Sequence, residues 1–430
     1  MLNLIGVIIA FIVIIFLIRK KFNFGLSLIF GSIIIAIFSL YDTSLLEILE
    51  GFSRALIYDF DDNVFEFQTI ELALLLTLIY ILAKTMQRTD AINKMINSLR
   101  TIFFRGGTLG VIPAVYGLMP VPGGALFSAP LIDEEGAKFK LKQNQKNFLN
   151  VWWRHVWFPI FPVSSAMLLI IGSKFSDIGI YELIVANIPA FIAFIIIGLI
   201  YLKAFIKNAP KIENKPKKDC SGLKFLIPPI IPIIVYMLVF VSLFLLGFKD
   251  VNKFQRSIFV VGVLFSFAAL YFLLKIDSKM YLRILKESIS LNLVLAIVGI
   301  MIFREMVEVS KTNEIITNAI VSLSFPPILI VILIPFILGL LTGYNLGAIA
   351  LSYFLVQPFF EFVNINIVGL TSIIFISSLI GYLISPIHLC NVVSSDYLKT
   401  DTTRMYKMYI PAVSVVMIIQ TIFILIFYGR

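Results

Sequence analysis

The sequence predicts an all-α polytopic membrane protein with about ten transmembrane helices and two re-entrant hairpins, arranged as two repeats of inverted topology. Its composition excludes an ordinary soluble protein, because 60% of the 430 residues are hydrophobic, only 14% are charged and the mean hydropathy is +0.99. Soluble domains contain about 45–50% apolar and about 25% charged residues. A bilayer, rather than a larger core, must therefore cover the apolar excess.

Ten apolar runs are each long enough to form a membrane-crossing helix, which requires roughly 20 residues. They lie at residues 2–18, 24–41, 68–83, 155–172, 181–202, 225–247, 257–274, 288–304, 366–385 and 409–428. Two further apolar stretches, at residues 108–132 and 326–357, contain proline, glycine, serine or asparagine in their middles. We interpret these two as hairpins that enter and leave the membrane on the same side.

The basic residues act as orientation signals. The chain has 35 lysines and arginines and a net charge of +10, and with both hairpins re-entrant most of these residues fall in cytoplasmic loops, where they normally concentrate. The sequence therefore predicts a multi-pass protein of the cell membrane with both termini outside. The expected partners are the lipid bilayer and a small solute. No nucleic-acid partner is expected, since the basic residues lie between apolar runs.

The order of elements repeats on either side of a basic segment. Residues 1–203 contain three spans, the hairpin at 108–132 and two spans; residues 204–224 form a basic cytoplasmic linker; and residues 225–430 repeat the first order with the hairpin at 326–357. Five crossings per half make the two halves inverted. Inverted repeats with interrupted segments at matching positions are typical of secondary transporters, whose binding sites lie at those interruptions.

The first hairpin tip contains Pro122, Gly123 and Gly124, with Ser128 one turn further on. Proline removes a backbone donor and glycine accepts positive φ, so the tip is predicted to be extended. A helix restarting near Gly124 would point its N–H groups and positive dipole end at an anion. A purely structural turn is the alternative.

The second tip contains Thr342, Gly343 and Asn345, followed by Ser352. The threonine and asparagine side chains offer neutral donors and acceptors beside backbone that glycine exposes. Irregular backbone at membrane depth is tolerated only inside protein or along a wet cavity. We therefore expect both tips to bind substrate.

A proline break followed by polar side chains occurs once in each half. These side chains are Ser164 and Ser165 in the first half, and Ser385, His388 and Asn391 in the second. We expect them to complete a pseudo-symmetric substrate site with the two tips.

The expected coupling ion is Na⁺ or H⁺, and no other cofactor is predicted. The candidates for coupling an ion are Gly123, Ser164, Thr342, Gly343, Asn345 and Ser385. No acidic residue lies clearly in the middle of a span, which favours sodium, because proton carriers usually place an ionisable group at depth. His388 is the candidate for a proton.

No metal site is expected, because Cys220 and Cys390 are too few and too differently placed, and the chain has only two histidines, His155 and His388. We interpret His155 and the neighbouring Arg154 as part of an interfacial anchor. No arginine or lysine is expected at depth. Helix ends and neutral donors would then hold a small anion, and a neutral polar solute fits the same residues.

The layout and two stretches, PVPGGALFSAP at 120–130 and SPIHLCN at 385–391, resemble a little-characterised family of prokaryotic membrane permeases. That family is related to gluconate permeases within the ion transporter superfamily. The resemblance implies two hairpins, two broken helices, a homodimeric scaffold and elevator-type movement of a transport domain. It also implies transport of organic anions with protons or sodium. The second stretch departs from the Ser-His-Asn spacing of gluconate permeases, so gluconate itself is not implied.

The function that the sequence predicts is cation-coupled transport of a carboxylate or sugar acid. An enzyme is not expected, since the chain has no phosphate-binding loop, H-E-x-x-H motif or pair of mid-span aspartates. A scaffold without transport activity would not require four broken segments at matching positions. An ion channel and a carrier of a neutral solute remain the alternatives.

Overall fold

A computed structural model describes residues 2–60, 62–103, 106–119, 123–206, 217–248, 251–312 and 326–430. These residues are nearly all helical, with one short antiparallel pair of strands, β1 (Tyr58–Asp59) and β2 (Val64–Phe65). The helices of the first half are α1 (Leu2–Arg19), α2 (Phe24–Ser39), α3 (Leu45–Leu56), α4 (Gln68–Arg88), α5 (Ala91–Ile102), α6 (Thr108–Gly117), α7 (Ala125–Lys138), α8 (Gln143–Arg154), α9 (Ser165–Ile170) and α10 (Ile180–Phe205). Those of the second half are α11 (Ile227–Leu245), α12 (Gln255–Leu274), α13 (Ser278–Glu287), α14 (Leu291–Val309), α15 (Pro327–Thr342), α16 (Asn345–Val356), α17 (Ile367–Ile384), α18 (Leu389–Tyr397) and α19 (Thr402–Phe427).

Seven helical segments of the described chain are long and apolar enough to cross a membrane. They contain α1, α4, α10, α11, α12, α17 and α19. The pair α13 and α14, bent by 43°, could form an eighth span. The prediction of a multi-pass, all-α membrane protein is thus confirmed, while the count of ten crossings stays a prediction.

The predicted span at residues 155–172 is not a continuous helix. Helix α8 ends at Arg154, and only Ser165–Ile170 are helical beyond it. Pro159 and Pro162 lie in the intervening segment, where each lacks the N–H that an α-helix needs. The proline break predicted inside this run is confirmed, and it occupies most of the run.

The helices pack in two sets. Set A comprises α1–α4 and α11–α14, and set B comprises α6–α10 and α15–α19. Most close helix contacts lie within one set, and α5 packs on both α4 and α6. Between the sets, α14 contacts α16, α1 contacts α15 and α4 contacts α9. Both predicted hairpin regions and both breaks belong to set B.

Close approach of helices within each set depends on glycine. In set A, a Cβ atom on Gly299 would lie 2.4 Å from the carbonyl oxygen of Gly25. In set B, a Cβ on Gly381 would lie 2.0 Å from the carbonyl oxygen of Phe336. Small residues allow membrane helices to pack backbone against backbone. This packing holds α15 directly against α17, the most deeply buried of the seven spans.

The contacts between the two halves occur in corresponding pairs. In set A, α2 packs on α14 and α4 packs on α12. In set B, α9 packs on α16 and α18 packs on α7, so the short helix after each break contacts the hairpin of the other half. The two sequence halves are therefore interleaved.

Candidate functional site

The first hairpin tip lies against Arg154, the last residue of α8. Gly123 has φ +67°, the left-handed conformation that glycine favours. A Cβ atom on Gly124 would lie 2.1 Å from Arg154 Nη2, so any larger residue would displace the guanidinium. The predicted site residue Pro122 lies outside the described residues.

Arg154 is buried, with 4% of its surface exposed. Its Nη1 donates a hydrogen bond to the Tyr116 carbonyl at 2.8 Å, and its Nη2 donates to the Met119 carbonyl at 3.5 Å. A cation is favourable there, because the carbonyls at the C-terminal end of α6 carry partial negative charge. The expected interfacial anchor does not account for this burial of Arg154 among protein groups, and the depth of Arg154 in a membrane stays a prediction. The first tip therefore has a buried positive charge beside it.

The second tip lies directly on the break between α17 and α18. Gly343, with φ +60°, connects Thr342 at the end of α15 to the start of α16. The Thr342 hydroxyl donates to the Leu338 carbonyl at 2.7 Å. A Cβ atom on Gly343 would lie 2.9 Å from the backbone nitrogen of His388. The second hairpin (hairpin 2, residues 326–357) thus covers the segment that contains this histidine.

The second break, at residues 385–388, is held by two predicted site residues. The Ser385 hydroxyl donates to the Leu340 carbonyl at 2.7 Å, which joins the break to α15. The Asn391 amide donates to the Leu383 carbonyl at 2.7 Å and to the Ser385 carbonyl at 3.2 Å. These bonds satisfy carbonyl groups that the interrupted helix leaves without partners.

The first break, at residues 155–164, is held in a different way. The Ser164 hydroxyl caps α9 by accepting a hydrogen bond from the Met167 N–H at 3.4 Å. The Pro159 carbonyl, inside the break, accepts from the Asn187 amide at 2.9 Å. Ser165 is the half-buried first residue of α9. Ser164 therefore has a structural role at this position whether or not it also contacts a ligand.

Asn150 of α8 joins three elements of set B. Its Oδ1 accepts a hydrogen bond from the Ser128 hydroxyl at 2.5 Å, and its Nδ2 donates to the Ala125 carbonyl at 3.0 Å and to the Ser394 hydroxyl at 2.8 Å. Sequence reasoning missed Asn150, because it lies in a polar stretch that we interpreted as a basic loop. The hydroxyl of the predicted site residue Ser128 is therefore already hydrogen-bonded to protein.

Two buried side chains near the second tip carry polar atoms without a well-formed hydrogen bond among the described residues. The Asn345 Oδ1 accepts from the Ser378 hydroxyl at 3.0 Å, but its Nδ2 has no partner. Neither ring nitrogen of His388 makes a hydrogen bond of ordinary geometry, and the Leu383 carbonyl is its only weak backbone partner among those residues. Buried polar atoms are nearly always hydrogen-bonded. These unpaired groups are therefore the best candidates for binding a solute.

His155 and His388, from the two breaks, lie side by side. Their ring centroids are 4.9 Å apart, and both residues are buried. The Tyr382 ring packs on His388 at 3.9 Å, while its hydroxyl lies 3.2 Å from His155 Nε2. One nitrogen of each histidine and Cys390 Sγ lie within 4.8 Å of one another. The number and placement of cysteines and histidines in the sequence did not indicate this grouping.

The predicted residues do not all meet. Gly123 approaches the second break, since its Cβ would lie 3.2 Å from Leu389 Cδ2, and Gly343 approaches His388. Ser352 is buried, but its hydroxyl donates to the Ile349 carbonyl of its own helix at 3.4 Å. The two tips and the second break form the assembled part of the site.

The assembled site combines neutral donors, a buried guanidinium and no carboxylate within residues 117–119, 123–128, 154–165, 340–352 and 382–395. An anion can accept hydrogen bonds from such groups, and a nearby guanidinium favours negative charge.

Comparison with known families gives one match across the chain. A family model described as "Protein of unknown function (DUF401)" matches residues 2–427. No curated protein matches the sequence. The geometry of the site thus carries the functional argument.

Proposed function

Given that the chain belongs to the DUF401 family of proteins of unknown function, we propose that it is a secondary active transporter of a small organic anion, a carboxylate or sugar acid. Uptake is coupled to a cation. This proposal is of a carrier and not of an enzyme. It places the protein in the cell membrane as a homodimer with both termini outside.

The observation that carries the proposal is the meeting of two glycine-containing hairpin tips at one broken helix. Unpaired donors of Asn345 and His388 lie at the second tip, and Arg154 lies at the first. Hydrogen bonds to an anion would satisfy buried groups that otherwise cost free energy. A carboxylate fits this arrangement better than a neutral solute because of the guanidinium.

The paired contacts across the halves support an inverted repeat. Each hairpin packs on the short helix after the other half's break, and α2 with α14 and α4 with α12 form a second matched pair. Such repeats place the substrate between discontinuous helices and allow alternating access. Set B would move past set A as a unit, which is an elevator-type movement. A relation to gluconate permeases and the ion transporter superfamily remains part of this proposal.

Sodium is the coupling ion that we propose. Its ligands would be hydroxyl and amide oxygens at Ser164, Thr342, Asn345 and Ser385, together with backbone carbonyls near Gly123 and Gly343. Unwound carbonyls and the ends of half-helices hold Na⁺ in other transporters. No carboxylate lies in the assembled part of the site, so a proton would have to use the histidines.

The test is the melting temperature of the purified protein against sugar acids, dicarboxylates, monocarboxylates, amino acids and nucleobases, each with sodium or potassium at two pH values. A ligand at 100 times its Kd stabilises the native state by about 2.7 kcal/mol. We expect a sodium-dependent rise with one class of carboxylate. A rise only with neutral solutes, or with none of the compounds, would contradict anion transport.

The compound identified in this way is then supplied to proteoliposomes. Saturable uptake that depends on a sodium gradient is expected for a carrier. High unitary conductance without saturation would favour a channel instead.

A further inference from the structure

Three soft metal ligands from both halves of the chain meet between the two breaks. His155 follows α8, while His388 and Cys390 lie at the start of α18. One nitrogen of each ring and the cysteine sulfur all lie within 4.8 Å of one another, and all three residues are buried. We propose that His155, His388 and Cys390 bind a monovalent soft metal ion, with Cu⁺ as the chemical type.

The His155 ring is already oriented as a metal ligand would be. Its Nδ1 lies 2.7 Å from the Val151 carbonyl, so Nδ1 carries the proton and donates. The lone pair is then on Nε2, where it accepts a hydrogen bond from the Tyr382 hydroxyl at 3.2 Å. A metal ion bound at Nε2 would replace this bond. Metal-binding histidines almost always donate their other N–H to a carbonyl, carboxylate or water in this way.

His388 supplies an independent reason for a ligand. Its side chain is buried, yet neither ring nitrogen makes a hydrogen bond of ordinary geometry among the described residues, and its contact with the Leu383 carbonyl is weak. A buried unpaired polar group costs about 1–3 kcal/mol. Coordination would satisfy one of these nitrogens.

The site must close by up to about 1 Å to hold one ion. Three ligands in a trigonal arrangement lie about 3.6–3.8 Å from one another when the metal bonds are about 2.3 Å to sulfur and about 2.0–2.1 Å to imidazole, as in zinc proteins. The three ligand atoms lie within 4.8 Å of one another before an ion binds. Because Cys390 and His388 share one short segment, a shift of that segment moves both toward His155 together.

Charge selects a monovalent ion. Arg154 precedes His155 in the chain and is buried nearby, so added positive charge is unfavourable. On binding, the Cys390 S–H bond breaks, a sulfur–copper bond forms, one proton is released and copper remains Cu⁺. A thiolate with two neutral imidazoles then gives no net charge, whereas a divalent ion would leave +1. Thiolate ligands favour both Cu⁺ and Zn²⁺, and the charge balance at this site favours Cu⁺ of the two.

The occupied site would connect the first break to the second beneath hairpin 2. If the protein transports by opening the second hairpin, as the proposed function requires, the bound metal would inhibit uptake. Binding itself does not depend on transport.

The experiment uses Ag⁺, which has the same charge and preference for sulfur and does not change oxidation state. Purified full-length Cys220→Ser protein, whose one remaining thiol is Cys390, is incubated with Ag⁺, washed with excess imidazole and analysed for bound silver. We expect about one ion per chain that resists washing. Cys220→Ser/Cys390→Ser should retain none, and His155→Gln or His388→Gln in the Cys220→Ser background should lower the affinity at least tenfold.

Equal binding in the thiol-free variant would overturn the proposal, as would unchanged affinity in both histidine variants. If a histidine variant does not fold, X-ray absorption of the silver-loaded Cys220→Ser protein decides. One sulfur with nitrogen neighbours supports the site, and sulfur without nitrogen contradicts it. Silver that binds without inhibiting uptake would contradict only the link to transport.

Discussion

At the scale of single residues, Asn345 offers the most direct test of the transport site. Its Oδ1 is engaged by Ser378, while its buried Nδ2 is unpaired. The Ser378 hydroxyl also lies 2.9 Å from the Phe375 carbonyl, so it keeps a partner when the asparagine is removed. The function of Asn345 can therefore be separated from the stability of the fold.

We predict that Asn345→Ala lowers affinity for the transported anion at least tenfold, because a charge-assisted hydrogen bond contributes roughly 1.5–3 kcal/mol. The melting temperature without ligand should change little. Exposed Asn364 provides a matched control, and Asn364→Ala should behave as wild type. Both variants are compared by ligand-induced melting shifts and by uptake. Unchanged affinity in Asn345→Ala would remove this residue from the site.

At the scale of elements, sequence reasoning found the breaks but missed a helix. Proline acts locally, so Pro159, Pro162 and Pro386 marked both interruptions correctly. Helix α8 looked like a basic loop because it begins with polar residues. Its burial depends on partners far away in sequence, as in the 2.7 Å bond from Asn147 to Ser395. A single sequence does not reveal such pairings.

The same limit applies to the assembled site. Hairpin tips and hydroxyls were predictable from glycine and proline, whose backbone effects are local. The approach of Arg154 to Gly124, and of His155 to His388, depends on how the two halves interleave. The predicted inverted repeat indicated only that such approaches would occur near the breaks.

Helix α7 is the second arm of the first hairpin, and its acidic C-terminal end is linked to α5. This contact lies outside the seven candidate spans. Glu135 lies 2.6 Å from Arg100 Nη2 and 2.8 Å from Lys138 Nζ. Burial would raise the pKa of the Glu135 carboxyl, but its bonds to Lys138 and Arg100 outweigh burial and lower the pKa below its usual 4.5. Glu135 therefore stabilises the contact between α7 and α5 as an ionised carboxylate.

We predict that Glu135→Gln destabilises the protein by about 1–2 kcal/mol at neutral pH, since it removes a charge-assisted bond. The folded-state pKa is depressed, so the stabilisation is present above about pH 4.5 and is lost as pH falls through the folded value. The difference in melting temperature from wild type should therefore shrink in acid. Glu134→Gln, whose carboxylate is more than half exposed, should have a smaller effect. A difference independent of pH would contradict the ion-pair explanation.

At the scale of the whole molecule, apolar and polar contacts both join sets A and B. A small apolar cavity lies between Ile79 and Pro229 of set A and Met119 and Val163 at the hairpin and break. Hydrogen bonds cross the boundary elsewhere, since Gln255 and Arg256 of α12 donate to the Ile178 and Leu168 carbonyls at 3.3 and 3.2 Å. Movement of set B past set A must break these bonds, and must also separate Tyr181 of α10 from Tyr236 of α11, whose ring centroids are 5.2 Å apart. A further aromatic contact crosses the boundary at the second tip, where Phe24 of α2 packs edge-on against Tyr344 with centroids 5.1 Å apart.

This contact gives a direct test of movement. In a Cys220→Ser/Cys390→Ser background, Phe24→Cys/Tyr344→Cys joined by a short, reducible bifunctional thiol reagent should stop uptake, because set B could no longer pass set A. Reduction should restore it. The matched control is Phe11→Cys/Phe303→Cys, which replaces an edge-on pair 5.5 Å apart within set A. Cross-linking that pair should leave uptake intact. Continued uptake in fully cross-linked Phe24→Cys/Tyr344→Cys protein would show that the second hairpin tip need not leave α2, and would exclude the elevator-type movement proposed for set B.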